Sequence, residues 1–202
     1  MPGFESFADA PKILNAAFLD SEAEFLEVAA QRGDTSGSCA VVALINGLNV
    51  TVAHAGDCRA VMKSNNKVID LTADHRPSVP SEKARIKAAG GVIKGGRVQG
   101  VLAPSRSFGD LDVKLSCKDA VIAVPDINSY RVEFDKSGST FLVLATDGVW
   151  DAMSSEKAMS VIAKSYAKNK NPAIAASELV ELAASLNSDD VTVILIVWSI
   201  ES

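Results

Sequence analysis

The chain has 202 residues, of which 48% are hydrophobic, enough for a packed core, and we predict a single domain over 1–202. Its net charge of −5, without any Lys/Arg block, argues against binding to nucleic acid or to an anionic membrane. Cys39, Cys58 and Cys117 are too few and too scattered for a disulfide framework, so we expect an intracellular protein, cytoplasmic or nuclear. Its apolar runs fall short of the roughly 20 residues that a membrane helix needs.

The first half of the chain predicts one helix followed by hairpins. Apolar residues recur at helical spacing over 11–30, with Pro11 at the start and Gly33 just past the end. Three strand-like runs follow: 38–45, 48–55 and 59–63. Asn46-Gly47 joins the first two runs and favours a tight hairpin turn, and 64–67 predicts another turn. A short helix within 80–91, ended by Gly90, and a glycine-hinged hairpin over 91–100 come next.

The second half predicts strands near 127–134 and 140–146, two helices within 154–186 and a last strand over 191–198. Hairpins that come first and paired helices that come later favour a helix-on-sheet α+β architecture. A regular parallel βαβ fold would instead alternate strands with helices.

Aspartates follow or precede three of the predicted strands. Asp57 follows 48–55, Asp147 follows 140–146, and Asp189 precedes 191–198. If the last two strands are antiparallel neighbours, Asp147 and Asp189 lie at the same rim of the sheet. Two carboxylates about 4 Å apart would repel by about 4 kcal/mol at an effective dielectric near 20, so such a rim needs a cation or a shared proton. Oxygen ligands without suitably spaced His or Cys favour Mg²⁺ or Mn²⁺ over zinc.

Each of these acids also has a simpler interpretation. A single aspartate after a strand is usually a turn or capping residue. Asp151 could cap the helix that begins around Ser154, and Trp150 could be core packing. His54, within an apolar run, is expected to be a core residue, whereas His75 could be exposed.

An ordered set of motifs favours the metal-site interpretation over these simpler ones. In chain order they are SGSCAVVALI, AGDCRAVM, LTADHRPSVPSEKARIKAAGG, VLAPSRSFGD, VPDINSY, FLVLATDGVWDAMS and SDDVTVILIVW. This set resembles the metal-dependent protein serine/threonine phosphatases of type 2C, from about residue 13 to the C-terminus. The resemblance implies an α+β sandwich of two antiparallel β-sheets flanked by helix pairs. It also implies hydrolysis of phosphoserine and phosphothreonine in a phosphoprotein substrate, by water activated between two Mn²⁺ or Mg²⁺ ions.

The resemblance assigns roles to particular residues. Asp147 matches the family's ligand of the second catalytic metal. Asp189 matches the aspartate of an Asp-Asn motif near the family's C-terminus, and Asp190 replaces the asparagine of that motif here. Asp151 and Asp57 match acids of a third, weaker metal site. Supporting roles fall to three further residues: Gly148, Gly56 and Asp110. Cys39 and Cys58 stand where the family often has threonine and serine.

The family's first segment has no counterpart before residue 13. In the family that segment contributes a phosphate-binding arginine and an Asp-Gly-His-Gly-Gly motif, whose aspartate bridges both metals. We therefore expect an N-terminally incomplete domain with little activity by itself. A truncated gene, a second chain that supplies the strands, and a natural pseudophosphatase would each explain this. The alternative function is an inactive binding or regulatory module. In each case we expect self-association, or a partner that covers the surface left by the missing strands.

Overall fold

The computed structural model describes residues 7–134 and 139–199. Residues 1–6, part of the opening stretch in which no bridging aspartate was found, lie outside the described residues. The helices are α1 (Ala10–Arg32), α2 (Pro80–Ala88), α3 (Leu111–Ser116), α4 (Asp147–Trp150), α5 (Ser155–Asn169) and α6 (Pro172–Leu186). The strands are β1 (Gly37–Ser38), β2 (Ala40–Asn46), β3 (Asn49–Ala55), β4 (Arg59–Ser64), β5 (Lys67–Asp70), β6 (Ile93–Lys94), β7 (Arg97–Val98), β8 (Phe108–Gly109), β9 (Asp126–Arg131), β10 (Ser139–Ala145) and β11 (Val193–Ser199).

The chain divides into two compact units. Unit 1 comprises Met1–Ala40, Ala53–Asp57 and Asp74–Ile127. Unit 2 comprises Val41–Val52, Cys58–Ala73 and Asn128–Ser202. The single domain predicted over 1–202 stays a prediction.

A four-stranded sheet in the order β11-β10-β4-β5 forms the centre of unit 2. Each neighbouring pair in it is antiparallel, and Ala145 of β10 lies opposite Val193 on one side and Arg59 on the other. The predicted antiparallel pairing of the last two long strands is therefore confirmed. The predicted turn at 64–67 is confirmed as well, because Asn65 and Asn66 both have positive φ and join β4 to β5.

The four-stranded sheet buries both of its faces, since alternate side chains along a strand point to opposite sides. On one face Met62 and Leu142 pack in a cluster with Val50 of the second sheet, of order β2-β3-β9, and with Val132, which directly follows β9. On the other face side chains such as Val143 contact the helix pair α5 and α6. The predicted α+β class with antiparallel sheets is therefore confirmed.

The described residues of unit 1 form α1, α2, α3 and two short antiparallel strand pairs, β1-β8 and β6-β7. Its core cluster is built from buried aliphatic side chains: Ile86, Val98, Val113, Ala120 and Val121. Phe18 of α1 packs against Phe108, with ring centroids 5.2 Å apart. β6 and β7 pair antiparallel around Gly95 and Gly96, which confirms the hairpin predicted within 91–100.

Candidate metal centre

The rim of unit 2 lies where β10 ends and β11 begins. Beyond the last strand pair, the Thr146 amide donates to the Thr192 carbonyl at 3.2 Å, and the Thr192 amide donates to Thr146 Oγ1 at 3.1 Å. Thr146 Oγ1 in turn donates to the carbonyl of Asp190 at 3.2 Å. The segments that carry Asp147 and Asp189 are therefore joined by hydrogen bonds immediately beside both aspartates.

Gly148 and Trp150 hold the segment after β10 close to Asp190 and to the end of β10. Asp147 is the first residue of the four-residue helix α4 and is half-buried. A Cβ on Gly148 would overlap the carbonyl oxygen of Asp190, so only glycine permits this approach of the two segments. The Trp150 indole is buried and its Nε1–H donates to the Ala145 carbonyl at 2.9 Å. Trp150 thus packs in the core, as expected, and also holds α4 against the end of β10.

Asn187 closes the same rim from the other side. Its Nδ2 donates to the Gly148 carbonyl at 2.8 Å, and its Oδ1 accepts from the Asp189 amide at 3.1 Å. Asp189 is exposed, and its Oδ1 accepts from the Asp190 amide at 2.8 Å. We missed Asn187 in the sequence, although the polar run Asn-Ser-Asp-Asp between a helix and a strand was a visible signal.

The interpretation of Asp151 as the cap of α5 is wrong. Ser154 caps that helix, since its Oγ accepts from the Lys157 amide at 3.3 Å. Asp151 ends α4 instead, and its amide donates to the Asp147 carbonyl at 2.8 Å. Its side chain is exposed. The assignment of Asp151 to a third metal site stays a prediction.

Asp57 and Gly56 lie in unit 1, where Asp57 is only 4% exposed. Its carboxylate lies 3.3 Å from Arg76 Nη2 and accepts from the Cys39 thiol at 3.4 Å. Gly56 has φ of 112°, and a Cβ there would overlap the Cys39 sulfur. Asp57 is therefore a buried, ion-paired carboxylate whose loop depends on a glycine.

His75 holds this loop from behind. Its Nδ1 accepts from the Gly56 amide at 3.2 Å, and its Nε2 lies 3.2 Å from Asp126 Oδ2. Its ring stacks on His54 at 4.2 Å between centroids. Burial, with further contributions from His54 and Arg106, lowers the pKa of His75 to about 4, so the imidazole is neutral at pH 7. His54 is buried, as expected, and His75 is buried too rather than exposed.

Asp126, the exposed partner of His75, belongs to an ionic network that is built on the buried Glu82. Arg106 Nη1 donates to Asp126 Oδ1 at 2.8 Å, and Arg106 Nη2 donates to Glu82 Oε1 at 2.8 Å. Burial by itself would raise the pKa of Glu82, but hydrogen bonds from Arg106, Arg85 and Ser105 lower it to about 2. Contacts therefore run from Glu82 through Arg106, Asp126 and His75 to the Gly56 amide. The sequence signal for this network was an acidic residue, Glu82, at a position of α2 that faces the core.

Asp110, in the loop before α3, adopts a left-handed conformation with φ of 51°. Its carboxylate accepts from Ser107 Oγ at 2.5 Å, and a Cβ on Gly37 would overlap it. Burial raises the pKa of this carboxyl group. Its supporting role stays a prediction, and these contacts are those of a residue that closes the loop.

The oxygen-only donors at the rim match the preference of Mn²⁺ and Mg²⁺ in kind. Within residues 7–134 and 139–199, however, no group of three or more His, Cys, Asp or Glu side chains is arranged to hold a metal ion. The assignment of Asp147 and Asp189 as metal ligands stays a prediction. None of the helices in the described part of the chain is long and apolar enough to cross a membrane.

Comparison with known proteins identifies the family. The family model described as Protein phosphatase 2C matches residues 2–192. The chain is 38% identical over 187 residues to "Probable protein phosphatase 2C 2" of Arabidopsis thaliana, covering 89% of this chain and 47% of that protein. A relative of Oryza sativa subsp. japonica, also named "Probable protein phosphatase 2C 2", is 35% identical over 202 residues, covering 98% of this chain and 52% of that protein. The chain thus spans about half the length of these relatives.

Solved structures give the same result. The serine-threonine phosphatase 2C from Toxoplasma gondii superposes with a TM-score of 0.77 at 26% identity, covering 98% of this chain and 71% of that one. A C. elegans sex determining protein shares the fold, with a TM-score of 0.77 at 24% identity over 98% of this chain and 48% of that one. The chain therefore belongs to the protein phosphatase 2C family, whose members are metal-dependent protein serine/threonine phosphatases.

Proposed function

We propose that this chain forms a major part of a Mn²⁺- or Mg²⁺-dependent phosphatase that hydrolyses phosphoserine and phosphothreonine in proteins. The family match over residues 2–192 carries this proposal. The rim of unit 2 supports it, because hydrogen bonds from Thr146 and Asn187 join the two segments on which family ligands are expected.

In this proposal Asp147 and Asp189 hold one ion, and for Asp151 of unit 2 and Asp57 of unit 1 the family resemblance implies weaker metal binding. A bound divalent cation supplies Lewis acidity toward water and phosphoryl oxygens. The chain's own contribution is to hold carboxylates in place before the ion arrives, through Thr146, Asn187 and the glycine at 148. Because only part of a ligand set is present and Mg²⁺ keeps most of its waters, we expect weak binding.

Turnover further requires a carboxylate that bridges two ions and a guanidinium that orients the phosphate. The 202-residue sequence contains no Asp-Gly-His-Gly-Gly stretch. We propose that the bridging carboxylate and the arginine come from a family segment outside this sequence, in the same chain or another. Residues 1–202 by themselves should hydrolyse a small aryl phosphate poorly or not at all in saturating Mn²⁺.

The edge of the four-stranded sheet offers a place for such a segment or for a second copy. β11 is the end strand of that sheet in the described chain, and its Ile194 is 56% exposed. Exposed apolar edge strands pair with other chains. We propose that residues 1–202 self-associate, or bind a partner, through β11.

The function is tested by phosphatase assays on a phosphothreonine peptide with Mn²⁺. Residues 1–202 are compared with the same chain supplemented by the family's N-terminal segment, fused or added separately. Turnover should appear only with the segment. Asp147→Asn should then abolish turnover, because an amide supplies no anionic ligand, whereas Asp20→Asn on the exposed face of α1 should leave it unchanged.

Each outcome bears on a different part of the proposal. Absence of turnover in the supplemented protein would sink the phosphatase proposal and favour the inactive binding module. Turnover that survives Asp147→Asn would sink the assignment of that ligand. Strong Mn²⁺-dependent turnover by residues 1–202 alone would show that another group in this chain replaces the bridge.

A further inference from the structure

Arg59 connects three elements of unit 2. It is the first residue of β4 and lies opposite Ala145, the last residue of β10. Its guanidinium carbon lies 5.3 Å from the centroid of the Trp150 ring, and its Nη1 donates to Ser155 Oγ at 3.1 Å. Ser155 Oγ itself donates to Asp70 Oδ1 at 2.6 Å, at the end of β5. One side chain thus contacts α4, the start of α5 and, through a hydroxyl, β5.

These contacts matter because α4 cannot hold its own position. A helix of four residues forms at most one turn, and isolated turns are unstable in water. The turn is fixed instead by Trp150, whose indole is only 6% exposed and is hydrogen-bonded to Ala145. Arg59 covers the ring of that indole and also holds Ser155, which is 5% exposed. The segment between Trp150 and Ser155 carries Asp151, and the residues just before Trp150 carry Asp147.

We propose that Arg59 is a positioning residue for the candidate metal ligands Asp147 and Asp151, acting through Trp150 and Ser155. The inference rests on the proposed function in treating these aspartates as ligands. The role requires an arginine, because a planar guanidinium can stack on an aromatic ring and, at the same time, donate hydrogen bonds in its own plane. A lysine at position 59 would keep the charge over the ring but present a different hydrogen-bond direction.

The test uses residues 1–202 and two independent readouts. The indole N–H signal of Trp150 in a ¹H–¹⁵N spectrum reports the position of α4, and the signal of Trp198, the second tryptophan of the chain, is the internal reference. Mn²⁺ titration by calorimetry reports the ligand set. Arg59→Met keeps the length and apolar stem of the side chain. Arg131→Met, at an exposed position of β9, is the matched control.

We expect Arg59→Met to shift the Trp150 signal, to speed exchange of its N–H and to weaken Mn²⁺ binding by about 10-fold, as loss of ligand-orienting partners does elsewhere. Arg59→Lys should retain part of both properties. The Trp198 signal and the control should match the unsubstituted chain. An unmoved Trp150 signal, or unchanged Mn²⁺ affinity beside a moved signal, would overturn the proposal.

Failure of the proposed metal site gives a different pattern. If the unsubstituted chain binds no Mn²⁺, that site is lost, and with it the role of Arg59 toward metal ligands, whatever the Trp150 signal does. If Arg59→Met does not fold, Ser155→Ala replaces it, since it removes the hydroxyl that accepts from Arg59. That variant should move Trp150 in the same direction as Arg59→Lys, and no movement would overturn the proposal.

Discussion

The substitution Glu82→Gln is predicted to destabilise the chain severely. Glu82 is 2% exposed and accepts hydrogen bonds from Arg85, Arg106 and Ser105. Glutamine has almost the same shape but no charge, and its amide nitrogen would point a donor at arginine donors. The change therefore leaves two guanidinium groups facing a neutral side chain in a largely buried site.

The size of the effect follows from the pKa of Glu82, which is lowered from 4.5 to about 2. At 1.36 kcal/mol per pKa unit, the contacts of the ionised form contribute about 3 kcal/mol at neutral pH. Removing one partner of a buried ion pair typically costs about 3–5 kcal/mol, which agrees. For a chain of this length we expect Tm to fall by about 6–12 °C.

The pH dependence provides a second signature. Since the pKa of Glu82 is lower in the folded chain, its contribution is complete above pH 4.5 and is lost as pH falls toward about 2. Urea unfolding followed by circular dichroism measures the free energy of unfolding of the unsubstituted chain and of Glu82→Gln. The difference between the two should be constant from pH 7 to 5 and should decrease below pH 5. Glu24→Gln, on the exposed side of α1, is the control. A loss below about 1 kcal/mol at pH 7, equal to that of the control, would refute the role of this network.

Three further predictions concern the candidate site and its surroundings. The pKa of His75 is lowered from 6.5 to about 4 in the folded chain. As the pH falls, the unfolded chain therefore binds a proton first, and the free energy of unfolding should decrease between pH 6.5 and 4. In urea unfolding His75→Gln should lack this decrease, and a pH profile identical to that of the unsubstituted chain would contradict the prediction. Gly148→Ala should lower the free energy of unfolding by about 1–3 kcal/mol and weaken Mn²⁺ binding, because the new Cβ meets the Asp190 carbonyl. An unchanged Tm and an unchanged Mn²⁺ titration would show that the rim accommodates the added methyl group and would contradict the prediction. Ile194→Lys on β11 should reduce self-association in sedimentation velocity, and a strictly monomeric unsubstituted chain would count against that surface.

The long elements could be predicted because their signals are local. The apolar run over 140–146 and the helix bounded by Pro11 and Gly33 are both present in the structure with ends displaced by at most two residues. The last strand begins at Val193 rather than at 191, because Thr192 bonds to Thr146 at the rim. The two-residue strands β1 and β8 were not predicted, since their pairing joins segments about 70 residues apart and leaves no periodic pattern.

Side chains that hold the candidate site were harder to predict than the candidate ligands. Aspartates at strand ends are visible in sequence because a buried run stops at them. Arg59 contacts Trp150 and Ser155, more than 90 residues away, and no spacing rule reports such a contact. His75 was ambiguous for the same reason, because its burial follows from stacking on His54.

The two groups of candidate acids differ in how the fold compensates their charge. In unit 1, Asp57 has Arg76 at 3.3 Å, so a cation that binds there must compete with a guanidinium. In unit 2, Asp189 accepts a backbone N–H from Asp190, and the segments beside Asp147 are joined through uncharged groups of Thr146 and Asn187. Because the Arg76 guanidinium already partly neutralises the Asp57 carboxylate, a divalent cation should bind at Asp57 weakly, which agrees with the weaker site that the family resemblance implies for this residue.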